Sequence, residues 1–245
     1  KEKDLDLGNS GTGMRLMLGL LSGLGIRATL TGDSSLSKRP MLRVIKPLMD
    51  MGTSIKSNNG KAPIRIIESN ISNDYKYDMP IASAQVKSSL LLASLSSNKS
   101  ITITEPKITR NHTERMIEYF GGDIQYDDKT RKGYIKLGKK NLIPKESYEV
   151  VGDFSSASFM IVAALIAKES NLVIKNVGLN PTRSGLINIL LQMGANIEVK
   201  NQTLISNEES ADLIVKSSRL HGIEVPENII PNIIDEIPIL SIAAA

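Results

Sequence analysis

The chain reads as an α/β protein built from a long internal repeat, and three observations carry that reading. The strings Met51-Gly52-Thr53-Ser54-Ile55, Phe120-Gly121-Gly122-Asp123-Ile124 and Met193-Gly194-Ala195-Asn196-Ile197 put glycines 69 and then 73 residues apart. Each glycine follows a segment with helical apolar spacing and precedes an alternating one, the pattern of a helix closed by glycine and running into a strand. An arginine (Arg39, Arg110 or Arg183) stands 13, 11 and 11 residues before the corresponding glycine, in what reads as a loop.

The first copy opens on a strand from Lys1 to Gly8, then small polar residues, Asn9-Ser10-Gly11-Thr12, lead into an apolar helix over Met14 to Leu21. A β-type run follows at Ile26 to Leu30, then the Arg39 loop, the helix ending at Gly52 and an extra hairpin strand over Gly60 to Ile67. In the second copy Ser83-Ala84-Gln85 precedes a helix over Val86 to Leu95, with strands at Ser100 to Thr104 and Gly133 to Leu137. In the third, Asp153 to Ser156 lead into Ala157 to Ala167, and Asn171 to Val177 reads as the next strand. Asp235-Glu236 and the apolar Pro238 to Ala245 resemble the start of a fourth copy. That helix would leave an apolar face without a partner, so the chain is expected to be an internal fragment, incomplete at both ends.

A period of about 70 residues exceeds the 20–50 of solenoids, so each copy is a substantial α/β piece. The domain break is expected near Ser147 to Gly152, giving a first domain over 1–149 and the start of a second over 150–245.

Composition narrows the chemistry. Thirty Lys and Arg against 26 Asp and Glu leave a net charge of +4, too small and dispersed for a nucleic-acid binder and better suited to an anionic small molecule. Cysteine is absent and histidine occurs only at 112 and 221, which excludes thiol nucleophiles, disulfides and cysteine-ligated zinc, and no metal site is expected. The longest apolar run, Phe159 to Ala167, falls far short of the roughly 20 residues of a membrane helix. A soluble, cytoplasmic chain with no nucleic-acid or membrane partner is expected.

By residue type alone the candidate sites are open to two readings. Asn9 to Arg15 offers free backbone amides and a positive helix end to an anion, but also suits a glycine-rich turn before a core helix; its Gly8, Gly11, Gly13 spacing is neither a dinucleotide fingerprint nor a nucleotide P-loop. Arg39 alone reads as a solvated surface cation, Ser83 as a helix cap, and Asp235-Glu236 as a cap with dipole-compensating charge.

Five segments in order decide between these readings: Leu7 to Leu18, Thr31 to Met41, Ala82 to Leu92, Thr109 to Met116 and Ile234 to Ala243. Together they resemble the 5-enolpyruvylshikimate-3-phosphate (EPSP) synthase family over essentially the whole chain. The resemblance implies an enolpyruvyl transferase fold, an inside-out α/β barrel of repeated βαβαββ units in two domains, both incomplete here. It implies that Gly11 and Arg39 contact phosphoenolpyruvate, with Asn9 and Arg15 supporting the loop. It assigns Ser83, Gln85 and Arg110 to shikimate 3-phosphate, with Lys87 as the charge that compensates for Ala84, a serine in one branch of the family. Asp235 is implied to touch the sugar hydroxyls and accept the proton of the attacking 5-hydroxyl. Gly11, where the family's tolerant enzymes carry alanine, implies sensitivity to glyphosate.

The implied reaction joins the 5-hydroxyl of shikimate 3-phosphate to phosphoenolpyruvate by addition and elimination, without metal or organic cofactor, in the path to chorismate and aromatic amino acids. A monomer is expected at full length, and the 245-residue chain alone is expected to be inactive. The related UDP-N-acetylglucosamine enolpyruvyl transferase shares fold and donor but generally carries a reactive loop cysteine, which this chain lacks. A non-catalytic ligand-binding fragment is the alternative from another class.

Overall fold

In a computed structural model, which describes residues 3–127, 133–139 and 141–245, all three repeat glycines lie in the left-handed region, with φ of +109° at Gly52, +72° at Gly121 and +93° at Gly194. A residue with a Cβ is strained there, so glycine lets the chain leave a helix and turn straight into a strand. Residues 1 and 2 of the expected opening strand lie outside the described residues. The chain divides into two units, Lys1–Pro144 and Lys145–Ala245.

The first unit holds two copies of one motif. One runs β1 (Lys3–Asp6), α1 (Gly11–Gly23), β2 (Ala28–Thr31), α2 (Leu42–Asp50), β3 (Thr53–Asn58) and β4 (Lys61–Ser69). The other runs β5 (Tyr75–Asp78), α3 (Ala84–Ser96), β6 (Ile101–Glu105), α4 (His112–Tyr119), β7 (Ile124–Asp127) and β8 (Gly133–Leu137). Both sheets are ordered first, second, fourth, third: β1-β2-β4-β3 and β5-β6-β8-β7. In each, the outer pair joined through a helix is parallel and the remaining pairs are antiparallel. Strands such as β8 alternate buried and exposed residues, so one sheet face meets the helices.

The core of this unit collects Met14 and Leu18 from α1, Leu30 from β2, Ile64 and Ile66 from β4, and Leu90 and Leu91 from α3. Full burial of each such side chain contributes roughly 1.5–3 kcal/mol. Helices α1 and α3 meet at a small-residue seam, where a Cβ on Gly19 would fall 2.0 Å from the Ser89 carbonyl oxygen and one on Gly23 2.3 Å from that of Ala93. The Ser89 hydroxyl donates across the seam to the Arg15 carbonyl at 2.8 Å. The seam aligns the two helix starts that carry the candidate residues.

The second unit repeats the plan with a reduced opening strand. Gly152 makes a single parallel bridge to Val177; α5 (Phe154–Ile166), β9 (Asn171–Gly178), α6 (Gly185–Gln192), β10 (Asn196–Ile205) and β11 (Glu208–Lys216) follow. The sheet order β10-β11-β9 is that of the first unit once the Gly152 bridge is placed beside β9. Two short helices, α7 (Ile230–Ile233) and α8 (Ile237–Ala243), close the chain. α8 packs on α5 and buries Ile239 and Ala243, so the closing helix does have a partner for one face, while Ile242 stays exposed. Among the described residues none of the three sheets closes into a barrel, and no helix is long and apolar enough to cross a membrane.

The three repeat helices start two or three residues before their apolar runs, because a polar side chain caps each one. Ser10 Oγ accepts from the Gly13 amide at 2.9 Å, Ser83 Oγ from Val86 at 3.4 Å and Asp153 Oδ2 from Ser156 at 2.8 Å.

Candidate functional site

The start of α1 gathers the first set of candidates. The Asp33 carboxylate accepts the Ser35 and Leu36 amides at 3.0 and 2.7 Å and, through its other oxygen, the Asn9 side-chain amide at 2.6 Å. Asn9 Oδ1 in turn accepts from Arg39 Nη2 at 2.7 Å. Arg15, one turn into α1, donates to the Gly11 carbonyl at 3.2 Å and the Pro40 carbonyl at 3.3 Å. A relay of fixed groups thus holds Arg39 by a neutral amide oxygen and sets Arg15 against the same loop.

Positive charge is concentrated at this helix start. Burial, then the charges of Arg43 and Arg39, lower the pKa of Arg15, so three guanidiniums act on one region at the positive end of a helix. Leu36 and Ser35 amides and the Asn9 side chain hold the Asp33 carboxyl below its ordinary range, so it stays an acceptor for Asn9. Gly11 is buried against both arginines; an added Cβ would lie 2.9 Å from Arg39 Nη1 and 3.1 Å from Arg15 Nη1.

Gln85 and Ser83 sit at the start of α3, beside this cluster. Gln85 Nε2 donates to Thr12 Oγ1 at 2.8 Å, joining the first turns of the two helices. Ser83 is the cap of α3, as its residue type alone suggested. Arg110 is half-buried in the loop before α4, whose Thr109 is held by the Glu105 carboxylate through its amide at 3.1 Å and its hydroxyl at 2.7 Å.

Lys87 corrects an expectation. It is 1% exposed and lies 3.1 Å from Glu105 and 2.7 Å from Glu114, so it is a buried ion-pair partner and not a spare cation for a ligand phosphate. Two carboxylates share one ammonium here, Glu114 Oε2 has no hydrogen-bond partner among the described residues, and burial raises the Glu114 pKa against the opposing pull of Lys87.

In the second unit, Asp235 lies in the turn between α7 and α8, half exposed, with its Oδ2 3.0 Å from Arg183 Nη1. The neighbouring Glu236 occupies the cap position of α8 but makes no capping bond; it is 1% exposed and accepts from the Ser155 hydroxyl. The cap reading of this pair therefore fails for Glu236. Thr12, Asp33, Arg43 and Arg183 are members that residue-by-residue reasoning left unassigned. The repeat carried a signal for two of them: Thr12, Gln85 and Ser155 are each the second residue of their helix, and Arg183 is the third loop arginine.

Comparison with known proteins bears on these sites. The family described as EPSP synthase (3-phosphoshikimate 1-carboxyvinyltransferase) matches residues 1–245. The 3-phosphoshikimate 1-carboxyvinyltransferase of Petrotoga mobilis is 50% identical over 242 residues, covering 98% of this chain and 55% of the relative. That of a Thermoanaerobacter species is 46% identical over 247 residues, covering 99% and 56%. The solved EPSP synthase of Acinetobacter baumannii is similar in structure with a TM-score of 0.86 at 44% identity, covering 99% of this chain and 54% of that one. The chain spans about half the length of the curated relatives it matches. By a match across its whole length and by close likeness to these enzymes in sequence and fold, the chain belongs to the EPSP synthase (3-phosphoshikimate 1-carboxyvinyltransferase) family.

Proposed function

We propose that this chain supplies substrate-binding residues and the proton-accepting carboxylate for transfer of the enolpyruvyl group of phosphoenolpyruvate to the 5-hydroxyl of shikimate 3-phosphate. The observation that carries the reading is the arginine cluster at the start of α1, where Arg39 and Arg15 close over the buried Gly11 and the charges of Arg43 and Arg39 act on Arg15. Phosphoenolpyruvate bears a phosphate and a carboxylate, and a planar guanidinium fork suits both. In this reading Arg39 and the amides near Gly11 take the donor, with Asn9 and Arg15 holding their geometry. Ser83, Gln85 and Arg110 take shikimate 3-phosphate.

The 5-hydroxyl oxygen bonds to the central carbon of phosphoenolpyruvate and gives its proton to Asp235, while the methylene carbon gains a proton. The tetrahedral ketal phosphate then breaks its carbon–oxygen bond to phosphate and loses a proton from the new methyl group, leaving the enolpyruvyl ether and inorganic phosphate. Catalysis rests on holding two polyanions together and in line, which is the task cationic clusters perform. The reading includes a monomer acting in the cytoplasm.

Calorimetric titration tests the substrate class. Shikimate 3-phosphate is expected to bind the chain and UDP-N-acetylglucosamine is not. Preferential binding of the uridine sugar would overturn the assignment in favour of the related transferase.

A further inference from the structure

The three loop arginines occupy one position of the repeat, yet their surroundings differ. Arg39 meets a neutral amide oxygen, Asn9 Oδ1, at 2.7 Å, a bond that involves no carboxylate directly. Arg183 instead meets carboxylates of its own unit: Asp235 at 3.0 Å, Glu236 at 3.7 Å and Asp153 at 3.8 Å. Its Nη2 also donates to Ser155 Oγ, and the Ser155 hydroxyl donates to Glu236. In the third copy the loop arginine meets carboxylates directly, whereas in the first an amide stands between the arginine and the Asp33 carboxylate.

We propose that Arg183 is the positioning residue of Asp235, holding its carboxylate in one orientation while Ser155, Glu236 and Asp153 hold the guanidinium. The proposal rests on the reading of Asp235 as the proton acceptor. Three features support it. The Arg183 side chain is only 14% exposed, whereas the Asp235 side chain is 49% exposed, so a solvent-reachable carboxylate leans on a largely buried cation. One fork nitrogen is committed to Ser155 and the other to Asp235 Oδ2, which sets the plane of the guanidinium before substrate arrives. The groups behind the arginine hold it as well: Glu236 is 1% exposed and its Oε1 lies 3.7 Å from Arg183 Nη2, so little water comes between them. Burial would raise the Asp153 carboxyl, but bonds from Ser156 and the charge of Arg183 leave it below its ordinary range, so it too faces Arg183 as an anion. A contact this exposed adds little to stability. Its consequence is geometric: the bond from Arg183 Nη1 to Oδ2 fixes the orientation of the Asp235 carboxylate.

The test compares wild type with Arg183→Met and Arg183→Lys by two readouts. The first is the titration of the Asp235 carboxyl carbon by NMR in the 245-residue chain, its resonance assigned by its loss in Asp235→Asn. The second is kcat and KM in a family-length protein containing this sequence. Arg183→Met is expected to raise the Asp235 titration midpoint by about one unit and to lower kcat about tenfold or more, with both KM values little changed. Arg183→Lys, which keeps the charge without the fork, is expected to restore the titration but not kcat; it carries the test alone should the methionine variant fail to fold. An unmoved Asp235 titration in Arg183→Met would overturn the proposal, as would a raised KM with unchanged kcat, the mark of a substrate-binding cation. A wild type without turnover would remove the proposed function, yet the titration would still decide whether Arg183 governs Asp235.

Discussion

At Gly11 a single hydrogen stands between a helix start and two guanidiniums. Alanine would put a methyl 2.9 Å from Arg39 Nη1 and 3.1 Å from Arg15 Nη1, and both neighbours are the far ends of flexible side chains. They move aside, so Gly11→Ala is expected to fold normally while losing roughly 1.5–3 kcal/mol of phosphoenolpyruvate binding through one displaced charge-assisted contact. Calorimetry and a melting curve on the same preparation separate the two effects. Lys87 is the opposite case. Lys87→Met leaves Glu105 and Glu114 buried without their cation and is expected to cost about 3–5 kcal/mol in denaturant unfolding. Glu114 adds a pH signature. Its folded pKa lies above the ordinary 4.5, so its stabilising share is complete below that value and is lost as pH rises through the folded pKa. Glu114→Gln is expected to flatten this decline in a pH series of unfolding curves; an unchanged slope would place the titrating group elsewhere. The misreading of Lys87 had a remedy in the sequence: residues two apart on a helix do not share a face. Gln85 reaches Thr12, so Lys87 points away from that contact and into the core.

Elements were legible where local chemistry and tertiary role agree, and hidden where burial overrides residue type. The glycine corners show in sequence because most residues with a Cβ are strained at those φ values. Helix α3 is harder, since Lys87, Ser88, Ser89 and Ser94 are all buried and blur the apolar stripe. Strand β11 escaped notice for a similar reason: Glu208 and Ser210 point inward, satisfied by Asn180 and Asn176, and break the alternation that Ala211, Leu213 and Val215 would otherwise display. The α1–α3 seam gives a prediction at this scale. Alanine in place of Gly19 would gain about 1 kcal/mol of helix propensity. The new Cβ meets the Ser89 carbonyl at 2.0 Å, a clash with backbone that cannot swing away. Overpacking of this kind costs about 1–3 kcal/mol, so Gly19→Ala is expected to unfold at lower denaturant than wild type. A stabilised variant would show that the helices separate easily.

Across the whole molecule, one motif is used three times and put to different ends. The sheets share an order and the helix starts share a cap, yet the polar positions diverge: Asn9 and Arg39 in the first copy, Gln85 in the second, Ser155 and Arg183 in the third. Sequence spacing revealed the period, because a repeated backbone needs its corner glycines at repeated intervals. It did not reveal that the opening strand of the third copy shrinks to the bridge between Gly152 and Val177, which no residue type requires. Nor did it reveal the pairing of Arg183 with Asp235, which lie 52 positions apart in the chain. The central claim, that these copies carry the acid–base and anion-binding groups of enolpyruvyl transfer, is tested most directly by phosphate release from phosphoenolpyruvate in a family-length protein, comparing wild type with Asp235→Asn. The account expects release by wild type only when shikimate 3-phosphate is also present, and a loss of about 10²–10⁴-fold in the asparagine variant. Release at the wild-type rate by Asp235→Asn would contradict it.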